Sequence, residues 1–372
     1  MVTTQRLAAA LTPLDTALAM LLGDVTPVAA VELPVAEAAG CIAADTPPLK
    51  PLPAFDLAAV DGWAFRSRDL VGASSWSPQP LKESPVWVEA GDRMPAGCDC
   101  VVDGAAVEQI GPLFQVSAET IPGQGVRRAG ADVAEGSSFA AGRPVRPLDL
   151  LVARSAGLDR LAVRRPRLRL IDIPAESRTS ATAYLLAESA RAAGCEAVRA
   201  EAGARDARSV ATAFDGEACD LFVTIGGTGV GRSDATVQAI AARGSVLAHG
   251  IAVQPGRTAA IGRIGTTPVI ALPGAPDQAL AGWWTLALPV LDRLSGRNQR
   301  LTKTLPLARK IASGVGIAEI VLLRQIDAAW MPIAVGDLSL QSIASADAWL
   351  AVPGGSEGYA AGTPVSGYML RD

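Results

Sequence analysis

The sequence predicts a multidomain protein of α/β plus β class, organised around a doubly wound, mostly parallel sheet. Three observations predict it. From Arg167 onward, apolar runs of strand length alternate with helical patterns, the βαβα order of a parallel sheet. Residues 66–135 instead carry short β-like runs broken by Gly, Pro and Asp, which reads as a small all-β module. Residues 301–372 hold short strands and turns, a second module of that kind. With 372 residues the chain has room for about two to four domains.

Taken in order, Thr12-Pro13-Leu14-Asp15 reads as a helix start, with Thr12 as N-cap and Pro13 at the first helical position. Leu14, Leu18, Leu21 and Leu22 would share a face, and Gly23 would stop the helix. Residues 31–46 look like a strand leading into a short helix. The proline-rich run from Pro47 to Pro53 makes a stiff, extended lead-in. Asp61-Gly62 is a turn signal before the strand Trp63-Ala64-Phe65, and Asp56 and Asp61 fall on the loop between these rigid pieces. Val86-Trp87-Val88, Cys100-Val101-Val102 and Phe114-Gln115-Val116 are the strands of the first β module. Residues 148–157 read as a helix, and 158–163 as a strand.

The parallel-sheet region opens with the strand Leu168 to Ile173 and the loop Pro174-Ala175-Glu176-Ser177. Thr179 to Ala193 is an amphipathic helix stopped by Gly194. A strand at 195–200 and a helix at Ala207–Phe214 precede the strand at 219–225. Next come strand-like Val246-Leu247, a loop from Val253 to Thr258, and strands at 259–262 and Val269 to Leu272. Pro276 stands where the first residue of a helix belongs, Pro289 would kink or split that helix, and Gly296 would close it. Trp283 and Trp284 read as core or interface residues. Ligands of such sheets sit at the carboxyl ends of the strands.

One of those ends carries Gly226-Gly227-Thr228-Gly229-Val230-Gly231-Arg232-Ser233-Asp234 between a strand and a helix. Four glycines in six positions let the backbone take positive φ and approach a ligand closely. Ser233 would cap the helix, leaving free N–H groups that attract phosphate. Asp234 suits the helix dipole but repels a bare phosphate, so a metal ion or a second partner would complete the site. A plain capped turn is the alternative reading of this loop. Glu176 lies at the same kind of strand end.

Composition bounds the function. Net charge is −4, no basic cluster is present, and aromatics are few, which argues against a nucleic-acid partner. No apolar run approaches the roughly 20 residues of a membrane span. The N-terminal run has one basic residue and no apolar core, so no secretion signal is expected, and the chain reads as cytoplasmic. Five scattered cysteines fit reduced, mostly buried thiols, and Cys98-Asp99-Cys100 is too tight for a usual metal knuckle. His249 is the single histidine, which excludes histidine-built zinc sites. Lysine occurs only at positions 50, 82, 303 and 310, so lysine-dependent mechanisms have few candidates.

These motifs together resemble the molybdopterin molybdenumtransferase family, also known as the MoeA/gephyrin E-domain family. Pro53-Ala54-Phe55-Asp56-Leu57-Ala58-Ala59-Val60-Asp61-Gly62-Trp63-Ala64 is similar to its P-x-F-D-N-S-A-M-D-G-Y-A block. Gly91 to Val102, Val126 to Asp132, Gly226 to Asp234, Pro255-Gly256-Arg257 and Leu272 to Pro276 follow as further blocks, in the family's order. The glycine loop also looks like that of the molybdopterin adenylyltransferases. The resemblance covers almost the whole chain.

It implies a discontinuous domain of residues 1–45 and 133–163, an inserted β module at 46–132, an α/β molybdopterin-binding domain at 164–298 and a C-terminal β barrel at 299–372. It implies a homodimer whose cleft joins one subunit's α/β domain to the other's inserted module. The implied reaction inserts molybdate into adenylylated molybdopterin and releases AMP, with Mg2+ as cofactor. The implied partners are the molybdopterin nucleotide, a molybdopterin adenylyltransferase and a client molybdoenzyme, with no nucleic acid and no membrane. Asp61, Asp132, Glu176 and Asp234 match the family's acidic positions. Glu176 and Asp234 are assigned to the metal, and Asp61 to positioning or proton transfer. Gly226, Gly227, Thr228, Gly229, Gly231 and Ser233 would bind the cofactor precursor, with Pro255, Gly256 and Arg257 and with Pro273, Gly274 and Pro276.

The departures include Leu57 and Ala58 for the family's amide and hydroxyl, Ala90 for a threonine, Ile173-Pro174-Ala175 for a hydroxyl, a glycine and an acid, Gln254 and Arg257 for lysines, Thr258 for a proline, and Ala275, Asp277 and Gln278 in the last block. They leave two other functions compatible with the sequence: a catalytically impaired molybdopterin-binding or cofactor-delivery protein, and a structural dimeric scaffold.

Overall fold

The computed structural model describes residues 5–7, 10–81, 83–174 and 181–371. Two compact units make up the chain. One consists of Met1–Ala44, Ala141–Arg146 and Ala162–Asp372, the other of Asp45–Ala140 and Pro147–Leu161.

The second unit is built from short strands. Gly62–Phe65 lies between Val86–Val88 and Cys100–Val102, all antiparallel. Trp63 meets Trp87 edge to face at 5.2 Å, an aromatic pair across the strands. Leu113–Val116 pairs with Val107–Ile110 and Gln79–Pro80 in a separate sheet, and Leu57–Ala58 pairs with Val126–Arg127. The helix Pro147–Ser155 also belongs to this unit.

The first unit holds the parallel sheet. Its elements are β1 (Arg167–Asp172), α1 (Ala181–Ala192), β2 (Glu196–Glu201), α2 (Ala207–Ala213), β3 (Leu221–Ile225), α3 (Thr236–Arg243), β4 (Ser245–His249), β5 (Ile251–Gln254), β6 (Ala260–Ile264), β7 (Thr267–Leu272), α4 (Pro276–Gly282) and α5 (Leu288–Ser295). The sheet order is β2-β1-β3-β7-β6-β4. The first four strands are parallel, and β6 and β4 are added antiparallel.

Register explains why these segments read as nearly continuous apolar runs. Leu170 pairs with Val223, and Val223 with Ile270; all three are fully buried in one core with Leu186 and Ala190 of α1. Their neighbours Ile171, Phe222 and Val269 point the other way, into a second core with Val210 of α2 and Ile240 of α3. Both faces are therefore covered, as parallel sheets require. Each fully buried side chain of this size contributes about 1.5–3 kcal/mol.

Pro276 is the first residue of α4, Trp283–Ala287 forms a π-helical turn, and α5 resumes with Pro289 in its first turn. Gly296 ends α5 with φ of 66°. Trp283 and Trp284 are buried, so both are core residues. The helix near the N-terminus spans Leu14–Leu22, and Thr12 is not its cap. Thr12–Pro13 instead adds a parallel strand beside β5, with the Thr12 amide on the Gly250 carbonyl.

After α5 come β8 (Thr302–Pro306), β9 (Ala318–Ile326), β10 (Ala329–Val335), β11 (Ala348–Val352) and β12 (Pro364–Met369). They continue a mixed sheet in the order Thr12–Pro13, β5, β9, β11, β12, β8, with β10 on β9. Trp284 stacks on Trp349 at 5.4 Å, and Trp349 on Tyr368 at 4.8 Å.

Candidate functional site: the glycine loop at the carboxyl edge

The order β2-β1-β3-β7 sets four strand ends side by side. Asp172 at the end of β1 is level with Glu201 of β2 and Ile225 of β3, and Ile225 with Leu272 of β7. The segments leaving these ends therefore share one edge: Pro174, Arg205, the loop Gly226–Asp234, and Pro273–Asp277. This is where an open parallel sheet binds ligands.

Gly226 and Gly227 take φ of 102° and 68°, the left-handed region that glycine tolerates. The turn they make folds the loop back on the start of α3. The Thr236 hydroxyl donates to the Gly226 carbonyl at 2.9 Å and its amide to the Gly227 carbonyl at 3.1 Å. Ser233 is not the helix cap: α3 begins at Thr236, and the cap position is Ala235. Asp234 is the reason. Its carboxylate accepts the Gly231 amide at 3.0 Å while its own amide reaches the Gly231 carbonyl at 3.1 Å, closing a separate turn before the helix.

The first-turn donors of α3 are engaged as well. The Gln5 side-chain oxygen accepts from the Val237 amide at 2.7 Å. Gln5 is buried, and its side-chain nitrogen donates to the carbonyls of Gly227 and Gly229 at 3.0 and 2.9 Å. His249, at the end of β4, has Nε2 2.9 Å from the Thr228 carbonyl. A carbonyl only accepts, so Nε2 carries the hydrogen. Thr228 is buried, and its hydroxyl lies 3.3 Å from that of Thr258. The amides of Thr228, Gly229 and Val230 have no acceptor among the described residues.

Asp234 is paired. Arg205 donates Nη2 to its Oδ1 at 2.8 Å and Nη1 to the Pro174 carbonyl at 3.0 Å, while its Nε is buried without an acceptor among the described residues. Arg205, Arg232, Ser233, Asp234 and Gln238 are among the residues lining a depression of 520 Å³ beside the loop. Asp206 caps α2 through the Ser209 amide, a bond that holds its carboxyl below the ordinary value.

Pro255 and Gly256 are buried, Arg257 is exposed, and the Arg257 carbonyl accepts the Ile251 amide. Pro273 is buried, and Gly274 and Pro276 are half-buried at the head of α4. Glu176 lies outside the described residues. Asp61 and Asp132 belong to the other unit. There Asp61 accepts the Ala90 amide at 2.7 Å, and Asp132 is ion-paired with Arg127.

A larger cavity of 910 Å³ lies in the same unit, lined by Trp284, Trp349 and Tyr368 among others. The charged pair in its wall, Arg300 and Asp292, is closed on itself by two 2.7 Å bonds. A run of N–H donors without an acceptor among the described residues lies at the glycine loop, on the strand edge where such sheets bind ligands, and this makes the loop the candidate site. No cysteine competes for the chemistry: burial pushes the thiols of Cys100 and Cys195 up to about 12 and that of Cys219 up to about 11.

Residues 12–157 match the family model described as "MoeA N-terminal region (domain I and II)". Residues 167–293 match the one described as "Probable molybdopterin binding domain". The chain belongs to the MoeA family. Within the family it is similar to molybdopterin molybdenumtransferase of Synechococcus elongatus, 28% identical over 361 residues covering 84% of this chain and 88% of that one. It is also similar to molybdopterin molybdenumtransferase 2 of Mycobacterium tuberculosis, 29% identical over 286 residues covering 66% of this chain and 70% of the relative. Among solved structures, the MoeA protein of Pyrococcus horikoshii superposes with a TM-score of 0.76 at 25% identity, covering 97% of this chain and all of that one. The glycine loop lies within the molybdopterin-binding match, and both Asp61 and Asp132 within the N-terminal match.

Sequence reasoning missed Arg205 and Gln5. Arg205 sits beside a cap, Asp206, in a short stretch that spells no recognisable motif. Gln5 lies 222 residues before Gly227. His249 ends a strand-like run, a place from which it could line a site or be structural, and the sequence does not show its partner, the Thr228 carbonyl.

Proposed function

We propose that this MoeA-family chain is a molybdopterin molybdenumtransferase, taking adenylylated molybdopterin and molybdate as substrates and releasing AMP. One observation carries the reading. Three consecutive loop amides, Thr228 to Val230, have no acceptor among the described residues, at the strand edge where this family's binding domain holds its glycine motif. Free backbone donors at such a loop hold a phosphate without a lysine.

In this reading the loop amides hold the phosphate on the pterin side. Arg205, oriented by Asp234 and the Pro174 carbonyl, supplies fixed positive charge beside them. That charge stabilises the oxyanion that develops as the AMP bond breaks. Asp234 holds the guanidinium and, through the Gly231 amide, the far end of the loop. Exposed Arg257 stands where the family pattern has a lysine and is assigned to the anionic substrate.

Mg2+ is the cofactor that the resemblance implies. The described residues do not fit it. The expected ligand Asp234 is neutralised by Arg205, and no three His, Cys, Asp or Glu side chains converge among the described residues. Asp61 and Asp132 are proposed to act from the partner subunit of a homodimer, Asp61 in positioning or proton transfer. The four-part division at 1–45 with 133–163, 46–132, 164–298 and 299–372, with its C-terminal barrel, is proposed with it. So are a cytoplasmic setting and exchange with an adenylyltransferase and a client molybdoenzyme.

The test is AMP release and molybdenum cofactor formation from adenylylated molybdopterin, molybdate and magnesium. Turnover is expected with the wild-type chain. Asp234→Ala should lower kcat by at least about a hundredfold, since it frees Arg205 and unties the loop. A wild-type chain that binds the substrate without turnover would overturn the enzyme reading.

A further inference from the structure

Three consecutive carbonyls of the glycine loop are each held by a side-chain N–H from another part of the chain. Gln5 holds those of Gly227 and Gly229, and His249 holds that of Thr228. The peptides concerned are trans. In a trans peptide the C=O and the following N–H point in opposite directions. Tying the carbonyls of 227, 228 and 229 therefore aims the amides of Thr228, Gly229 and Val230 away from Gln5 and His249. Those three are among the loop amides without an acceptor among the described residues.

We propose that Gln5 and His249 are positioning residues that preorganise the three loop amides as a cradle for the substrate phosphate. The inference rests on the proposed function for the identity of the ligand, and on the geometry alone for the pinning. Two details support a dedicated arrangement. Gln5 is fully used: both oxygen and nitrogen are bonded, and its oxygen also occupies the Val237 amide, so the first turn of α3 is not where the phosphate sits. The Gly227 carbonyl already accepts the Thr236 amide, so the Gln5 bond takes its second lone pair and locks the peptide plane from two sides.

Variants of the full chain separate positioning from general stability. Gln5→Glu keeps shape and the bond from Val237 but has no hydrogen for the two carbonyls. His249→Phe removes the donor, and His249→Gln retains one. Gln5→Glu and His249→Phe should raise KM for adenylylated molybdopterin about tenfold to a hundredfold. Their kcat should stay within about threefold, because a phosphate hold serves ground and transition states alike. His249→Gln should stay within about threefold of wild type in both. In the same variants, without substrate, the NMR backbone order parameters of residues 228–230 should fall while those of β3 and α3 do not. An unchanged KM, or a loss confined to kcat that tracks the folded fraction, overturns the proposal. If the wild type shows no turnover, the functional reading falls, and the order parameters still decide the pinning: unchanged values at 228–230 overturn it.

Discussion

At the residue scale, polar side chains in this chain act mainly by holding backbone. Asp99 shows it away from the site. Its carboxylate accepts the Ser67 amide at 2.7 Å and the buried Ser67 hydroxyl at 3.0 Å, and these bonds hold its carboxyl below the ordinary 3.8. A carboxyl lowered on folding adds stability above its unfolded value and loses it as pH falls through the folded one. Wild type should therefore be more stable than Asp99→Asn at pH 7, and denaturant unfolding near pH 3 and below should find the gap closing. An equal gap at both pH values would refute the assignment. The same habit explains what the sequence could not reveal. Gln5 and Arg205 are ordinary polar residues in unremarkable stretches, and their importance comes from distant carbonyls and a carboxylate that folding brings to them. Nothing local marks such a partner. Asp234 was legible as an anomaly, a carboxylate beside a phosphate loop, but its neutralising guanidinium comes from the preceding crossover.

At the element scale, the strand–loop–helix unit was legible because its signals are local. Leu221–Ile225 is an apolar run with β-branched residues, the glycines punctuate it, and α3 follows with helical spacing. The helix cap lies two residues later than expected, at Ala235, because the Asp234 turn absorbs Ser233, a choice that capping preference alone does not foresee. Thr12 was misread for a related reason: its amide finds the Gly250 carbonyl, so it extends a sheet instead of capping a helix. Gly227 is the position where the element depends on one residue type. Its φ is 68°, and a Cβ there would lie 2.4 Å from the Thr236 hydroxyl, which is itself bonded to the Gly226 carbonyl. Gly227→Ala should cost about 1–3 kcal/mol from backbone strain alone, measured by denaturant unfolding. It should also abolish substrate binding, because the clash moves the peptide that Gln5 and Thr236 fix. A variant of wild-type stability and affinity would show that the loop tolerates another path.

At the scale of the whole molecule, the acids expected to share one reaction are divided between two compact units. Asp234 and the glycine loop lie in one, and Asp61 and Asp132 in the other. The sequence blocks named all of these positions, because motif spelling survives divergence. It does not say which copies of the chain cooperate. The homodimer proposal answers that with a site built from one subunit's loop and its partner's Asp61, and it makes a quantitative prediction. Asp61→Ala and Asp234→Ala chains should each be inactive alone. Unfolded together and refolded at equal ratio, half the dimers are mixed, and each mixed dimer has one site free of both substitutions, because a two-fold axis pairs every loop with the opposite Asp61. Activity should then return to about a quarter of the wild-type level. If both acids served the same subunit's site, every site in every dimer would keep one defect and mixing would restore nothing. Sedimentation of the mixture at the assay concentration establishes that dimers are present, so an inactive mixture of dimers rejects the shared site itself.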